Sequence, residues 1–317
     1  MNHVRLDVFI LSYNRADFLL ETLESLKAQT FQNFRIIVLD NASTDNSAEV
    51  VRSFSQTRSA TLYQQPANIG WLDNFLKVGS LAEADWVMAF HDDDIIHPRY
   101  IEYAIAALER HPDCRLIASN YVGVYKTSLE AMTGQDLNKD YWLFDHAAHF
   151  ASFCYTLNKV HFGSVIYQRD SFRRLTREHI LPYGKIGDRP AMIETLRAGG
   201  GAIVFKAPYI QYRIHASQDS QSSTSGPFLH EAIKLTRFYA EVMGTTWKTS
   251  PGRCFIVNNR AYLKGLYKWC SDRGERRFNN FIDDARKSAA ATYWVHIPRP
   301  VMRIIKKTLK QIDPFSL

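Results

Sequence analysis

From residue 5 to residue 91 the chain alternates short apolar runs with segments of helical periodicity. VFILSY (8–13), FRIIVLD (34–40), ATLYQ (60–64) and DWVMAFH (85–91) have the length and content of strands. Between them, apolar positions recur at helical spacing over 16–29, 45–55 and 70–82. That alternation predicts βαβ units and a mainly parallel, twisted sheet flanked by helices. The pattern then loosens. A helix is predicted after Pro98 to about residue 110, a strand pair in CRLIASNYVGVY (114–125), a polar connection over 126–140 and a strand in HFGSVIYQ (161–168). Residues 190–198 are helical in pattern, GGG at 199–201 ends that helix, and AIVFKAPYIQYRI supplies one or two strands. After a Ser/Gln/Gly-rich loop (216–227), helical spacing returns around 228–243, 254–270 and 276–292. The expected organisation is an α/β domain over 1–222 and an α-helical C-terminal region over 223–317.

Composition narrows this picture. The 317 residues are 46% hydrophobic and 22% charged, enough apolar content for a full core. No apolar run approaches the length of a membrane span, and the N-terminus has no signal-peptide pattern, so a cytoplasmic protein is expected. The four cysteines, at 114, 154, 254 and 270, have no zinc-site spacing and read as reduced, structural thiols. The net charge of +7 is local: residues 264–317 hold 12 of the 39 basic and 5 of the 32 acidic residues, which leaves the rest of the chain neutral. A neutral body with a basic end argues against a nucleic-acid-binding surface and for one local contact with an anionic partner.

Open parallel sheets bind ligands beyond the carboxyl ends of their strands. The residues falling there are Ser12-Tyr13-Asn14-Arg15, Asp40-Asn41, Pro66 to Gly70, and His91-Asp92-Asp93-Asp94. Neither a GxGxxG nor a GxxxxGK[ST] fingerprint accompanies them, so a dinucleotide-binding Rossmann unit and a P-loop are both unsupported. Three adjacent carboxylates repel one another unless a cation or donors compensate, and Mg²⁺ or Mn²⁺ with a substrate diphosphate is the natural partner. A solvated turn leading into the next helix is the alternative.

Four stretches, VFILSYNRADFLLETLESLKAQTFQNFRIIVLDNASTDNS, ANIGWLDN, FHDDDIIHP and YRIHASQDS, together resemble the inverting family 2 glycosyltransferases over roughly residues 5–220. The resemblance implies a glycosyltransferase A-type fold and a nucleoside-diphosphate-sugar donor, with UDP or dTDP expected. It places Leu11, Ser12 and Tyr13 against the nucleoside, Asp40 on the ring N–H of the base, and Arg15 at a phosphate or the base. Asn68 and Gly70 would shape the loop near the diphosphate. Asp40 also reads as a cap for the following helix, and Gly70 as a residue kept only for its backbone turn. Aligned with the family's DxD motif, Asp92 faces the ribose and diphosphate, Asp93 holds the metal and Asp94 supports them. An alternative frame puts the metal on Asp94. His91 stands where relatives carry the first carboxylate. His215 matches a position near the metal or diphosphate, and reads equally as a hydrogen-bonded structural histidine.

Inverting transfer needs one carboxylate to deprotonate the acceptor hydroxyl. The resemblance implies Asp188, in GDRPAMIETL, for that role, with Glu194 as second choice. Capping of the same helix is the competing role for Asp188. Gly163 and Ser164 are expected on the acceptor side. At the C-terminus, Val301, Met302, Ile304, Ile305, Leu309 and Ile312 share one arc of a helical wheel and Arg303, Lys306, Lys307 and Lys310 the other. Residues 299–317 therefore suit peripheral attachment to an anionic membrane, on the inner face of the cytoplasmic membrane if the acceptor is a lipid-linked saccharide of cell-envelope polysaccharide synthesis. The same pattern suits packing on its own domain or within a homo-oligomer. Two other functions stay open at this point: a sugar nucleotidyltransferase, although LSYNRADF lacks the Gly-rich basic loop that a triphosphate needs, and a catalytically silent nucleotide- or glycan-binding protein.

Overall fold

The computed structural model describes residues 5–156 and 160–216 and scattered residues between 231 and 243. The expected helices at 254–270 and 276–292 and the basic segment 299–317 lie outside the described residues. The chain divides into two compact units, one of residues 1–181 with 187–216, the other of 182–186 with 217–317. Every candidate site residue belongs to the first. Among the described residues, no helix is long and apolar enough to cross a membrane.

In chain order the elements are β1 (Leu6–Ser12), α1 (Ala16–Lys27), β2 (Phe34–Asp40), α2 (Ser47–Phe54), β3 (Ala60–Gln64), α3 (Gly70–Leu81), β4 (Trp86–His91) and β5 (Ile95–Ile96). They continue with α4 (Tyr100–Arg110), β6 (Cys114–Val124), α5 (Leu129–Thr133), β7 (Tyr141–Phe144), α6 (Ala147–Thr156), β8 (Ile166–Gln168), α7 (Arg169–Phe172), α8 (Arg177–Ile180), α9 (Asp188–Glu194) and β9 (Gly201–Arg213). The sheet order is β3-β2-β1-β4-β8-β6-β9-β5, with β7 also on β9.

The first half is the expected parallel arrangement. β1 lies between β2 and β4, parallel to both, and its apolar run is buried on both faces, as a central parallel strand requires. Helix α1 buries Leu19, Leu23 and Leu26, one stripe of its surface. The second half makes the sheet mixed: β8 is antiparallel to both β4 and β6, and β9 is parallel to β6 but antiparallel to β5 and β7.

Three local expectations need correction. CRLIASNYVGVY is not a strand pair but the single strand β6, whose register shifts between Ser119 and Tyr121 let it follow β9 over its whole length. HFGSVIYQ is a strand only from Ile166; Phe162–Ser164 forms a single helical turn because the Ser164 hydroxyl donates to the His161 carbonyl (2.6 Å). The helix expected at 190–198 starts at Asp188, and its exit passes through Gly199 and Gly200, with φ of 103° and 105°. Helix α6 and strand β7 are additions that the sequence pattern does not announce.

One buried charge fastens the parallel half. Asp7, fully buried in β1, accepts two hydrogen bonds from Arg35 of β2 (both 2.7 Å) and two more from the backbone N–H groups of Glu83 and Ala84 (2.8 and 2.9 Å). Burial alone would raise the Asp7 pKa, but the bonds from Arg35, Ala84 and Glu83 outweigh it and hold the carboxyl below its ordinary value. Asp7→Ala should strip two backbone donors of their acceptor and cost roughly 3 kcal/mol in urea unfolding at pH 7. The native contribution is fully present above the unfolded-state carboxyl pKa and fades as pH falls through the lower, folded-state value. The gap between wild type and variant should therefore shrink in strong acid.

Candidate functional site

The strand register aligns the carboxyl ends of β1, β2 and β4. Ser12 faces Asp40 across the β1–β2 pair, and Leu11 faces His91 across the β1–β4 pair. Beyond these ends the loops tie to one another. Asn14, in the left-handed region at φ 51°, donates its N–H to Ser43 Oγ (2.9 Å) and accepts from the Thr44 N–H (2.7 Å). The Asn41 amide donates to Asn68 Oδ1 (3.0 Å) and accepts from the Ile69 N–H (2.9 Å). Asn68 Oδ1 also accepts from the N–H of Gly70 (2.8 Å), whose φ of 81° opens helix α3. The buried Asp40 carboxylate accepts from the Ser43 N–H (3.2 and 3.3 Å), so it organises the loop and not the start of α2. The α2 entry belongs to Asp45, which accepts from the N–H and hydroxyl of Ser47 and from the Ala16 N–H. Leu11 ends up half-buried, Ser12 buried and Tyr13 exposed.

The aspartates are positioned from two directions. They follow β4, and the next residues, Ile95 and Ile96, pair antiparallel with Gln211 and Ile210 of β9. That pairing brings Arg213 and His215 to a cluster 120 residues earlier in the chain. Arg213 donates its N–H to Asp94 Oδ1 (3.0 Å) and its Nε to the Asp93 carbonyl (2.8 Å), and its remaining charge meets Glu21 of α1 (2.8 Å).

Asp92 and Asp93 share one cation. Arg15 Nη1 reaches Asp92 Oδ1 at 3.0 Å and Asp93 Oδ2 at 2.7 Å. Asp92 Oδ2 also accepts from the Tyr13 N–H (3.1 Å), and Asp93 Oδ2 lies 3.0 Å from His215 Nε2. Both carboxylates are almost fully buried. Burial pushes the Asp92 pKa up to about 6, with Asp93 adding to the rise and the Arg15 charge and the Tyr13 N–H opposing it. The arrangement thus keeps negative charge in a place where it is costly, as a site for a cationic or metal-bound ligand does.

Asp94 has different partners. Its Oδ2 lies 3.2 Å from both His91 Nδ1 and His161 Nε2. Burial works to raise the Asp94 pKa, but the charge and hydrogen bond of His161 and those of His91 hold it below the ordinary value. Burial would lower the His91 pKa, but the Asp94 hydrogen bond and the charges of Asp94, Asp93 and Asp92 carry it up to about 9.

Of the acceptor-side residues, Ser164 is fully buried. Its Oγ accepts from the Ser119 N–H (3.0 Å), and its carbonyl accepts from the Tyr100 hydroxyl (2.5 Å). Ser164→Ala should lower stability by about 1–3 kcal/mol in denaturant unfolding, since Ser119 and His161 both lose a buried partner. Gly163 leaves room for the His161 ring, because a Cβ there would meet that ring at 3.1 Å. Asp188 opens α9 with its side chain about a quarter exposed; its Oδ1 makes no hydrogen bond among the described residues, and the Arg189 guanidinium stands 3.9 Å away. Glu194, at the other end of α9, pairs with Arg197 at 3.6 Å.

Direct contacts therefore join Tyr13, Arg15, Asp92, Asp93 and His215, while Asp40, Asn68 and Gly70 shape the neighbouring loops. Asn14, Asn41 and Arg213 are further structural members of this edge. Arg213 stands two residues before His215 at the end of a strand, and that period of two is the signal in the sequence that both would face the aspartates.

A family model described as glycosyl transferase family 2 matches residues 7–176, more than half of the chain. GlyG of Streptococcus pneumoniae is 30% identical over 119 residues, 37% of this chain and 38% of GlyG. An uncharacterized glycosyltransferase of Haemophilus influenzae is 25% identical over 267 residues, 82% of this chain and 79% of that protein. The chain spans about two-fifths of the length of GlyG and of two further relatives, from Mycoplasma pneumoniae and Haemophilus influenzae. Among solved structures, S. aureus TarS 1–349 in complex with UDP-GlcNAc is similar with a TM-score of 0.57 and 15% identity, covering 83% of this chain and 82% of that one. The mannosyltransferase PcManGT of Pyrobaculum calidifontis, in complex with GDP-Man and Mn²⁺, gives a TM-score of 0.55 at 14% identity over 96% and 84%. These likenesses show a shared glycosyltransferase A-type fold.

Proposed function

Because the chain belongs to glycosyl transferase family 2, we propose that it transfers a sugar, with inversion, from a nucleoside diphosphate to a hydroxyl of a glycan or lipid-linked saccharide. The observation that carries this reading is the buried Asp92–Asp93 pair, held by Arg15 and His215 at the joined carboxyl ends of β1, β2 and β4. Of the donors present, the Asp93 carboxylate suits either Mn²⁺ or Mg²⁺, and the Nε2 of His215 favours Mn²⁺ of the two. When bound, that ion would neutralise charge developing on the leaving diphosphate.

The chain's own residues do the rest. The end of β1 at Leu11 and Ser12, with Tyr13 and Asp40, receives the nucleoside, and UDP or dTDP is the proposed carrier. Arg15, already between two carboxylates, is placed to meet phosphate oxygens. Asp188 takes the proton of the acceptor hydroxyl while that oxygen bonds to the anomeric carbon, and the bond from that carbon to the diphosphate oxygen breaks on the opposite face. No carboxylate need act as nucleophile. Synthesis of cell-envelope polysaccharide at the inner face of the cytoplasmic membrane is the proposed setting, with residues 299–317 as the membrane contact.

Titration of the full-length protein with UDP, dTDP, GDP, CDP and ADP, with and without Mn²⁺, tests the donor site. One diphosphate should bind, and only when the metal is present. Binding of none by folded protein would overturn the reading.

A further inference from the structure

The donor-site reading uses Asp92 and Asp93 but leaves the third aspartate of the run unexplained. Asp94 is fully buried, and one oxygen is committed to the Arg213 N–H. The other, Oδ2, faces two imidazole nitrogens, each at 3.2 Å. One ligand atom from each of His91, Asp94 and His161 lies within 4.8 Å of the other two. We propose that His91, Asp94 and His161 form a second metal site, separate from the diphosphate site, that takes a borderline first-row divalent ion of the zinc or cobalt kind.

Two imidazoles and one carboxylate are a common ligand set for such ions, whereas Mg²⁺ and Ca²⁺ prefer oxygen ligands alone. The ligands are also held in place. The Arg213 N–H fixes the Asp94 carboxylate, in the manner of the outer hydrogen bonds that orient metal ligands. The His161 ring is flanked by Tyr121 and Tyr212, with ring centres at 5.4 and 5.3 Å, and Gly163 leaves the space that it fills. Its Nδ1 has no hydrogen-bond partner among the described residues, so Asp94 is the polar group that the ring addresses. His91 meets His161 edge to face at 5.5 Å and keeps about a third of its side chain exposed. That exposure supplies an entry path for the ion. Binding would replace two N–H···O contacts by three metal–ligand bonds and tie the turn at 162–164 to the end of β4.

This site does not rest on nucleotide binding. Full-length protein stripped with a chelator should bind one equivalent of Co²⁺ without nucleotide, giving visible d–d absorption of a low-coordinate nitrogen/oxygen site and a higher unfolding temperature. Asp93→Ala should keep that absorption. His161→Ala should lose it, with at least a 100-fold fall in affinity, more than the roughly 10- to 100-fold typical of outer-shell changes. His91→Ala, at a partly exposed position, should do the same if His161→Ala does not fold. Retention of the absorption in folded His91→Ala or His161→Ala, its loss in Asp93→Ala, or failure of wild type to bind Co²⁺ would each overturn the proposal. Nucleotide titration of the same samples reports on the donor site separately.

Discussion

Asp93→Asn should lower kcat/KM by a factor of about 10³ or more and abolish the metal-dependent part of nucleoside-diphosphate binding. The side chain is 6% exposed, and one of its oxygens meets both Arg15 and His215. Asparagine keeps the shape but removes the charge, so a divalent ion loses its carboxylate and Arg15 loses half of its counter-charge. Charge stabilisation of a leaving group by a single preorganised contact is worth about 10²–10³ in rate, and here the change touches the metal and Arg15 together. Calorimetry with and without Mn²⁺ separates the two effects: the variant should bind the diphosphate weakly and equally in both conditions. Unchanged metal-dependent binding would move the metal off Asp93. Thermal unfolding provides the control, since Asn still accepts a hydrogen bond from Arg15.

Asp188→Asn should have the opposite signature. Turnover should fall about 10²–10⁴-fold, the range for loss of a general base, while binding of the nucleoside diphosphate stays within about twofold of wild type. The reason lies in its surroundings. Asp188 Oδ1 is buried and carries no hydrogen bond among the described residues, and the Arg189 guanidinium, 3.9 Å away, is too far to form a strong one. A carboxylate built to fasten the start of α9 would be spent on N–H groups of that helix. About a quarter of the Asp188 side chain is exposed, and that exposed part of the carboxylate is what an incoming hydroxyl would meet. Wild-type turnover in the variant would return Asp188 to a purely local role and make Glu194 the next candidate, although the Arg197 contact at 3.6 Å already occupies that residue. The two variants thus separate donor binding from acceptor activation, the first failing in binding and the second in rate.

Much of the candidate site's edge was legible in the sequence because its information is local. Each of β1, β2 and β4 closes on an unbroken apolar run (residues 8–11, 36–39 and 86–90), so the polar residues directly after it had to fall at the strand's carboxyl end. That fixed Ser12, Asp40 and the aspartate run along one rim without any knowledge of register. The competing roles of Asp40 were less legible, because a carboxylate three residues before a Ser/Thr/Asp cluster can cap a helix or hold a loop. Only the position of the Ser43 N–H, 3.2 Å away, decided for the loop.

The second half of the sheet was not readable in the same way. A strand of three residues such as β8, or two such as β5, carries too few side chains to show a period of two. Yet β5 is the element that pairs with β9 and delivers Arg213 and His215 to the aspartates. Likewise, the sequence suggests Ser164 for the acceptor side, but its hydroxyl lies inside the core, where it joins β6 to the turn before β8. By itself, the sequence determined the α/β alternation, the parallel half of the sheet and the acidic rim, since burial of an apolar run dictates where its polar neighbours emerge. Only the tertiary structure decided which partner each aspartate faces, because adjacent carboxylates have the same chemistry and differ only in what long-range strand pairing brings beside them. Arg15 and His215 went to Asp93, and two histidines 70 residues apart went to Asp94.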